Sequence, residues 1–259
     1  MPEGDTVYRT AAHLDAALAG QVLTGCDIRV PKFATVDLTG ERVDDVVSRG
    51  KHILMRVGEF SIHSHLKMEG SWHIYQPQTR WRKPAWQARA VLTTAEHTAV
   101  GFELGLLEVV RRAEEESIVG YLGPDLLGAG WDAAEAERRL AREPGREVAV
   151  ALLDQRNLAG LGNVFANELC FLRGVLPSRP VGEVARLDAV VALAHRLITA
   201  NRDRVERTTT GDTRPGKQVW VYNRAGQPCR RCGTAIQSGR LGANDLALRD
   251  AYWCPYCQT

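Results

Sequence analysis

Apolar side chains at Val7, Ala11, Leu14 and Leu18 recur at spacings of four, three and four, and Gly20 closes the run. That rhythm predicts an amphipathic helix with Asp5 as its N-cap and Pro2 and Glu3 just outside its positive end. From about residue 21 to 110 the period changes. "DIRVPKF", "HILMRV", "FSIHSHL", "ARAVLTT" and "TAVGFEL" are short β-type runs, separated by breakers such as "DLTGERVDD" and "GE". Runs of this length and spacing predict a sandwich or barrel with the first helix packed on it. The glycine- and proline-rich "YLGPDLLGAG" predicts a hinge. Helical patterns follow: Trp131 to Arg142, Arg146 to Arg156, a helix through Phe165, Leu169 and Leu172 ended by Gly174, and Leu187 to about Arg204. Near the end, "QVWVY" and "DAYWC" alternate like strands. The pattern therefore divides the chain into 1–116, a hinge at 117–131, a helical part at 132–215 and a terminal part at 216–259.

Length and charge add little to this picture, but their distribution does. A chain of 259 residues holds one large or two small domains with real cores. It has no run of 18 apolar residues, which excludes a membrane-spanning helix. Net charge is +2, yet residues 201–259 carry ten Lys/Arg against five Asp/Glu, whereas the first 200 carry 23 against 26. Basic charge gathered at one end points to a polyanion. No basic, apolar and small-residue sequence of a secretory signal is present, so the expected location is cytoplasmic and the cysteines read as reduced.

Cys229, Cys232, Cys254 and Cys257 form two CxxC pairs with 21 residues between them. Four thiolates at these spacings suit one structural zinc ion, with no coordination position left open for chemistry. Cys26 and Cys170 lie among apolar neighbours and read as core.

Other candidates are weaker one by one. If Met1 is trimmed, Pro2 exposes an α-amine, whose reference pKa of ~7.8 leaves far more neutral nucleophile at neutral pH than the ~10.4 of lysine. Glu3 beside it can move protons. The Gly-rich turn in "LLDQRNLAGLGNVFANELCF" precedes a helix start at Asn163, a place where backbone N–H groups can meet an anion. In "SRGKH", Lys51 is positioned by a glycine just before a strand. Alternation puts His63 and His65 on one sheet face, for packing or hydrogen bonding rather than metal. Met68 occupies the turn after them, as a protruding wedge or a hairpin contact. "TRWRKPAWQAR" is compatible with nucleic acid or with a solvated loop, and the acidic "RRAEEES" reads as a solvated face.

Taken in order, "MPEG", "RGKH", "LDQRNLAGLGNVFANE" and the C-terminal CxxC…CxxC resemble the Fpg/Nei family of DNA glycosylases from end to end. "PEG" and "YWCPYC" are more similar to the endonuclease VIII branch. The resemblance implies an α+β, two-domain protein. Its 1–116 part would be a catalytic β-sandwich domain with the N-terminal helix, its 132–215 part a helix–two-turn–helix domain, and its 216–259 part a zinc-finger hairpin, with damaged duplex DNA in the cleft between the domains.

Carried over residue by residue, Pro2 is implied as the nucleophile at C1′, Glu3 as the acid/base group and Lys51 as phosphate contact and proton donor. Asn163 is implied to grip the backbone. Arg249 is implied to bind a phosphate and assist the last elimination, Met68 to fill the gap left by the flipped nucleotide, and Lys67 to touch DNA. The implied protein is a monomeric, nucleoid-associated base excision repair enzyme, both glycosylase and lyase, that cuts by β,δ-elimination.

The departures bear on substrate. "GFELGLLEV" has no arginine to face the orphaned base, Thr6 stands where many members have Glu, and "TTTGDTRPGKQVWVY" is shorter than the loop that covers an oxidised purine in the other branch. A pocket without that lid favours oxidised pyrimidines. The alternatives left open are an oxidised-purine (formamidopyrimidine) glycosylase, a catalytically inactive DNA-binding module, and a zinc-ribbon scaffold for protein partners.

Overall fold

The computed structural model describes residues 2–242, 244 and 247–259. The chain forms two compact units that divide between Tyr121 and Leu122.

In the first unit, α1 (Gly4–Leu18) leads into eight strands: β1 (Gly25–Ile28), β2 (Val43–Arg49), β3 (His52–Val57), β4 (Phe60–His65), β5 (Ser71–Tyr75), β6 (Ala88–Thr93), β7 (Thr98–Phe102) and β8 (Leu106–Arg111). They pair as two four-stranded antiparallel sheets, β1-β6-β7-β5 and β2-β3-β4-β8. This is the expected sandwich. Val7, Ala11, Leu14 and Leu18 of α1 are buried in one core with Val43, Ile53, Met55, Ile62, Leu92 and Val109, so the helix closes the sandwich with its apolar stripe. The Asp15 carboxylate accepts from the Val46 N–H at 2.8 Å and fixes α1 against β2.

Three strands escape the sequence pattern. β2 falls where "DLTGERVDD" reads as a breaker, because a register shift between Val43 and Asp45 interrupts its alternation. β5 and β8 lie beyond the ends of the apolar runs. The N-terminal cap also differs. Helical geometry begins at Gly4, Glu3 is the cap residue, and Asp5 sits inside the first turn with its carboxylate accepting the Thr6 N–H at 2.7 Å.

After β8, α2 (Glu115–Val119) completes the first unit. The acidic stretch is exposed as expected except at Glu115, which pairs with Arg56 of β3 at 2.8 Å and accepts the Ser61 hydroxyl of β4.

The second unit begins inside the expected hinge. Leu122 and Leu126 are buried, and Leu126 packs in the core formed by α3 (Ala133–Leu140), α4 (Val148–Leu153), α5 (Asn163–Arg173) and α6 (Leu187–Asn201). α5 is the central helix, buried from Asn163 to Phe171. Gly174 stops it in a left-handed conformation, φ 67°, with its own N–H bonded to Phe171 O and the Val175 N–H to Cys170 O. The unit ends in a hairpin of β9 (Gln237–Leu241) and β10 (Arg249–Trp253), joined to α5 by a small core of Phe171, Val221, Cys229, Ile236 and Cys254.

"QVWVY" is not a strand. The Glu168 carboxylate, fully buried in α5, accepts the N–H groups of Trp220 at 2.7 Å, Val221 at 2.8 Å and Tyr222 at 2.9 Å, and also the Thr209 hydroxyl. A carboxylate that collects three successive amides replaces a strand partner and turns the segment inward. Burial pushes the Glu168 pKa up while these hydrogen bonds hold it down.

Removing the carboxylate strands three amides, that of Val221 in a fully buried residue, so Glu168→Ala is expected to cost about 3–5 kcal/mol. Urea unfolding followed by tryptophan fluorescence checks this; a loss below about 0.5 kcal/mol would show that the loop finds other acceptors.

Candidate active site and metal centre

At the start of α1, Pro2 is half-buried and Glu3 is 0% exposed. Glu3 accepts the Val7 N–H on its backbone carbonyl at 3.0 Å, which makes it the first link of the helix. The positive end of the helix dipole faces this dipeptide and disfavours a protonated amine there. The local chemistry is that of a secondary amine, once Met1 is trimmed, next to a shielded carboxyl group.

Lys51 sits in the turn between β2 and β3, behind Gly50, whose φ of 59° lets the chain reverse. Lys67 and Met68 occupy the tight turn between β4 and β5. Lys67 has φ 53°, the Gly70 N–H bonds back to Leu66 O at 2.9 Å, and a Cβ at Gly105 would run into the Lys67 side chain. The lysine stem is thus laid over a glycine, and Met68 projects with 61% exposure.

Strand register sets Lys51, next to His52, and Lys67, two residues after His65, at the same end of β3 and β4. Burial first, with smaller contributions from neighbouring histidines and from Lys67 and Lys51, lowers the pKa of His52 to about 3 and that of His65 to about 4. Strand register builds the rest. His52 lies opposite His65 and His63 lies opposite Glu108, on the outer face of the β2-β3-β4-β8 sheet. Glu108 Oε1 is 2.7 Å from His63 Nδ1, His63 Nε2 is 2.7 Å from His52 Nδ1, and His52 Nε2 is 3.2 Å from the Tyr121 hydroxyl. A carboxylate only accepts, so with both rings neutral the order is unique. Tyr121 O–H donates to His52, His52 Nδ1–H to His63, and His63 Nδ1–H to Glu108.

In the second unit, Asn163 opens α5 and its side-chain amide donates to Asp250 O at 2.9 Å, one residue beyond Arg249. Asn167 donates to Asp250 O as well, at 3.3 Å, and accepts from the Tyr252 N–H at 2.6 Å. The helix start and the hairpin strand that carries Arg249 are therefore one fixed assembly. The exposed Arg249 guanidinium donates to Leu248 O at 3.0 Å. The Asn163 amide is already engaged within the chain, a partner that spacing could not have revealed.

The sulfurs of Cys229, Cys232, Cys254 and Cys257 all lie within 4.8 Å of one another. Zn–S bonds of ~2.3 Å at a tetrahedral ion separate sulfurs by roughly 3.8 Å, so these four thiols fit a metal without backbone movement. The register of β9 and β10, Gln237 opposite Trp253 and Leu241 opposite Arg249, ties the two CxxC turns to one hairpin. Cys170 is buried in the helical core and Cys26 packs half-buried against the sandwich core, as expected.

Comparison with known proteins agrees with this arrangement. Residues 1–106 match the formamidopyrimidine-DNA glycosylase N-terminal domain, and residues 122–212 match the formamidopyrimidine-DNA glycosylase H2TH domain. The chain is 55% identical to DNA-(apurinic or apyrimidinic site) lyase Nei2 of Mycolicibacterium smegmatis, covering 100% of this chain and 99% of that one. It is 52% identical to endonuclease 8 2 of Mycobacterium tuberculosis, covering 100% of both. A solved Lactococcus lactis formamidopyrimidine DNA glycosylase, non-covalently bound to DNA containing an AP site, superposes with a TM-score of 0.81 at 20% identity over 99% of each chain. That similarity shows a shared fold.

Long-range 1H–15N spectra at pH 7 are expected to show His52 and His63 protonated at Nδ1 and bare at Nε2. The lowered pKa of His52 keeps its ring neutral, so its signals should not titrate between pH 8 and pH 5. A proton on Nε2 of either ring at pH 7 would overturn this order of donors.

Proposed function

This chain belongs to the formamidopyrimidine-DNA glycosylase and endonuclease VIII family, and from that premise we propose that it is a bifunctional DNA glycosylase and AP lyase of base excision repair that uses the Pro2 amine on oxidised pyrimidines. One observation carries this most: the Pro2–Glu3 dipeptide stands at the mouth of a helix whose stripe is locked in the sandwich core, with Glu3 wholly buried. DNA binding alone requires neither residue.

In the proposed reaction the damaged nucleotide is flipped out of the duplex, because C1′ is unreachable within the stack. Met68 enters the vacated space as an apolar wedge. The Pro2 nitrogen forms a bond to C1′ as the glycosidic bond breaks, and the base leaves with the bonding pair and a proton. Glu3 assists the departure of the base by protonating O4′ as the sugar ring opens, leaving an iminium between Pro2 and C1′. The iminium acidifies C2′; loss of that proton expels the 3′ phosphate, and a further elimination expels the 5′ phosphate. Lys51 and Lys67 face the phosphates from the first unit, and Lys51 donates a proton during elimination. Asn163 and Arg249 hold the backbone from the second, with Arg249 beside the last leaving phosphate. Cys229, Cys232, Cys254 and Cys257 would hold one zinc ion, which staples the hairpin and takes no part in bond making.

Pyrimidines are favoured over purines by the residues after α6. Thr208, Thr209 and Thr210 bond inward, to Gln218 O at 3.2 Å, to Glu168 and to Lys217 O at 2.7 Å respectively, which makes that loop a short closed turn rather than a lid.

Borohydride trapping on a duplex with one dihydrouracil, followed by peptide mass mapping, is expected to give an adduct on Pro2. Pro2→Gly should reduce trapping and strand cleavage far more than binding, and Glu3→Gln should slow base release by roughly 10²–10⁴-fold. Trapping of an abasic site without dihydrouracil would keep the lyase and reject the substrate. No adduct with either, on correctly processed protein, would favour the inactive binding module.

Arg249→Ala is expected to weaken DNA binding and cleavage while one zinc per chain remains by elemental analysis. Loss of zinc in that variant would mean that Arg249 supports the hairpin instead of contacting DNA.

A further inference from the structure

The histidine pair has no task in the proposed reaction, yet it is more fully bonded than packing requires. His63 is 0% exposed, and His52 stacks on it with ring centroids 5.0 Å apart and planes 27° apart. At the end away from Glu108, the chain of bonds reaches the surface at the Tyr121 hydroxyl.

Tyr121 is held there by the strand beneath it. His52 and Arg56 are four residues apart on β3 and so share its outer face. Arg56 binds Glu115 at one end of the segment that crosses this face, and His52 binds Tyr121 at the other. The two rings meet edge to face, centroids 6.3 Å apart at 85°. Half of the tyrosine, 50%, nevertheless remains exposed. A large ring left half in water next to His52, at the end of β3 and β4 that carries Lys51 and Lys67, is unexplained by stability.

The direction of the bonds decides what that ring can do. With both rings neutral and Glu108 only able to accept, the Tyr121 proton is donated inward to His52 rather than to a phosphate. What faces outward is the aromatic surface. We propose that Tyr121 is a further DNA-contact residue that packs its ring on a sugar or base next to phosphates held by Lys51 and Lys67. This rests on the proposed DNA-acting function.

Stacking on an aromatic side chain is tolerant of sequence and carries no charge, unlike a lysine–phosphate contact. The test is the Kd for a duplex bearing a tetrahydrofuran abasic-site analogue, measured across a series of salt concentrations. Tyr121→Ala is expected to weaken binding about tenfold, within the range for loss of one stacked base, and to leave the slope of log K against log salt unchanged. Tyr121→Phe should bind within about twofold of the wild type, since the ring stays and only its bond to His52 is lost. Equal affinity of Tyr121→Ala and wild type would overturn the proposal. So would a slope reduced by one charge, or a loss in Tyr121→Phe as large as that in Tyr121→Ala, which would mean an ionic or hydroxyl contact instead. Failure of the wild-type chain to bind the duplex at any salt concentration would instead reject the DNA-acting function itself.

Discussion

The arrangement depends first on where α1 is buried. Val7, Leu14 and Leu18 enter a core shared by both sheets, each contributing about 1.5–3 kcal/mol of transfer free energy. Asp15 adds a directional bond to β2. Burial resists sliding and the hydrogen bond resists rotation, so the first turn cannot drift. A reactive amine on an ordinary chain end would sample many positions and lose the advantage of proximity. Here Pro2 and Glu3 adjoin a helix fixed in the sandwich core.

The second unit relies on a different kind of constraint, one buried carboxylate. Glu168 sits on the central helix and gathers three amides from Trp220 to Tyr222, which brings the chain before Cys229 onto α5. An unpaired carboxylate at this depth would be prohibitive, and three unpaired amides nearly so; each makes the other admissible. Asn163 and Asn167 repeat the device with Asp250 and Tyr252. The cysteine hairpin is thus registered on the helix by polar groups, and the small core around Phe171 fills in behind them.

β3 links structure to surface chemistry in the first unit. Its inner residues Ile53, Met55 and Val57 serve the core, while its outer residues His52 and Arg56 each grip one end of the segment ending at Tyr121. Alternation along one strand therefore supports the sandwich on one side and, on the other, keeps an aromatic ring half in water at the end that carries two lysines.

Much of this was legible in the amino-acid order. The stripe of α1, the sandwich, the helical second half, Gly174 as a helix stop and the CxxC pairs are local patterns, set by period, backbone freedom and ligand spacing, and such patterns survive without their neighbours. The ordered motifs from Pro2 to Cys257 carried the family resemblance for the same reason. What the sequence could not show were pairings between distant segments. β2 was hidden by a bulge that breaks alternation, and "QVWVY" alternates like a strand but yields to a carboxylate some fifty residues earlier. Glu108, His63, His52 and Tyr121 become one hydrogen-bonded chain only through the register of β3, β4 and β8 and the path of the segment that crosses them. Local propensity acts over a few residues, whereas register and the satisfaction of buried polar groups are settled only when the whole unit closes.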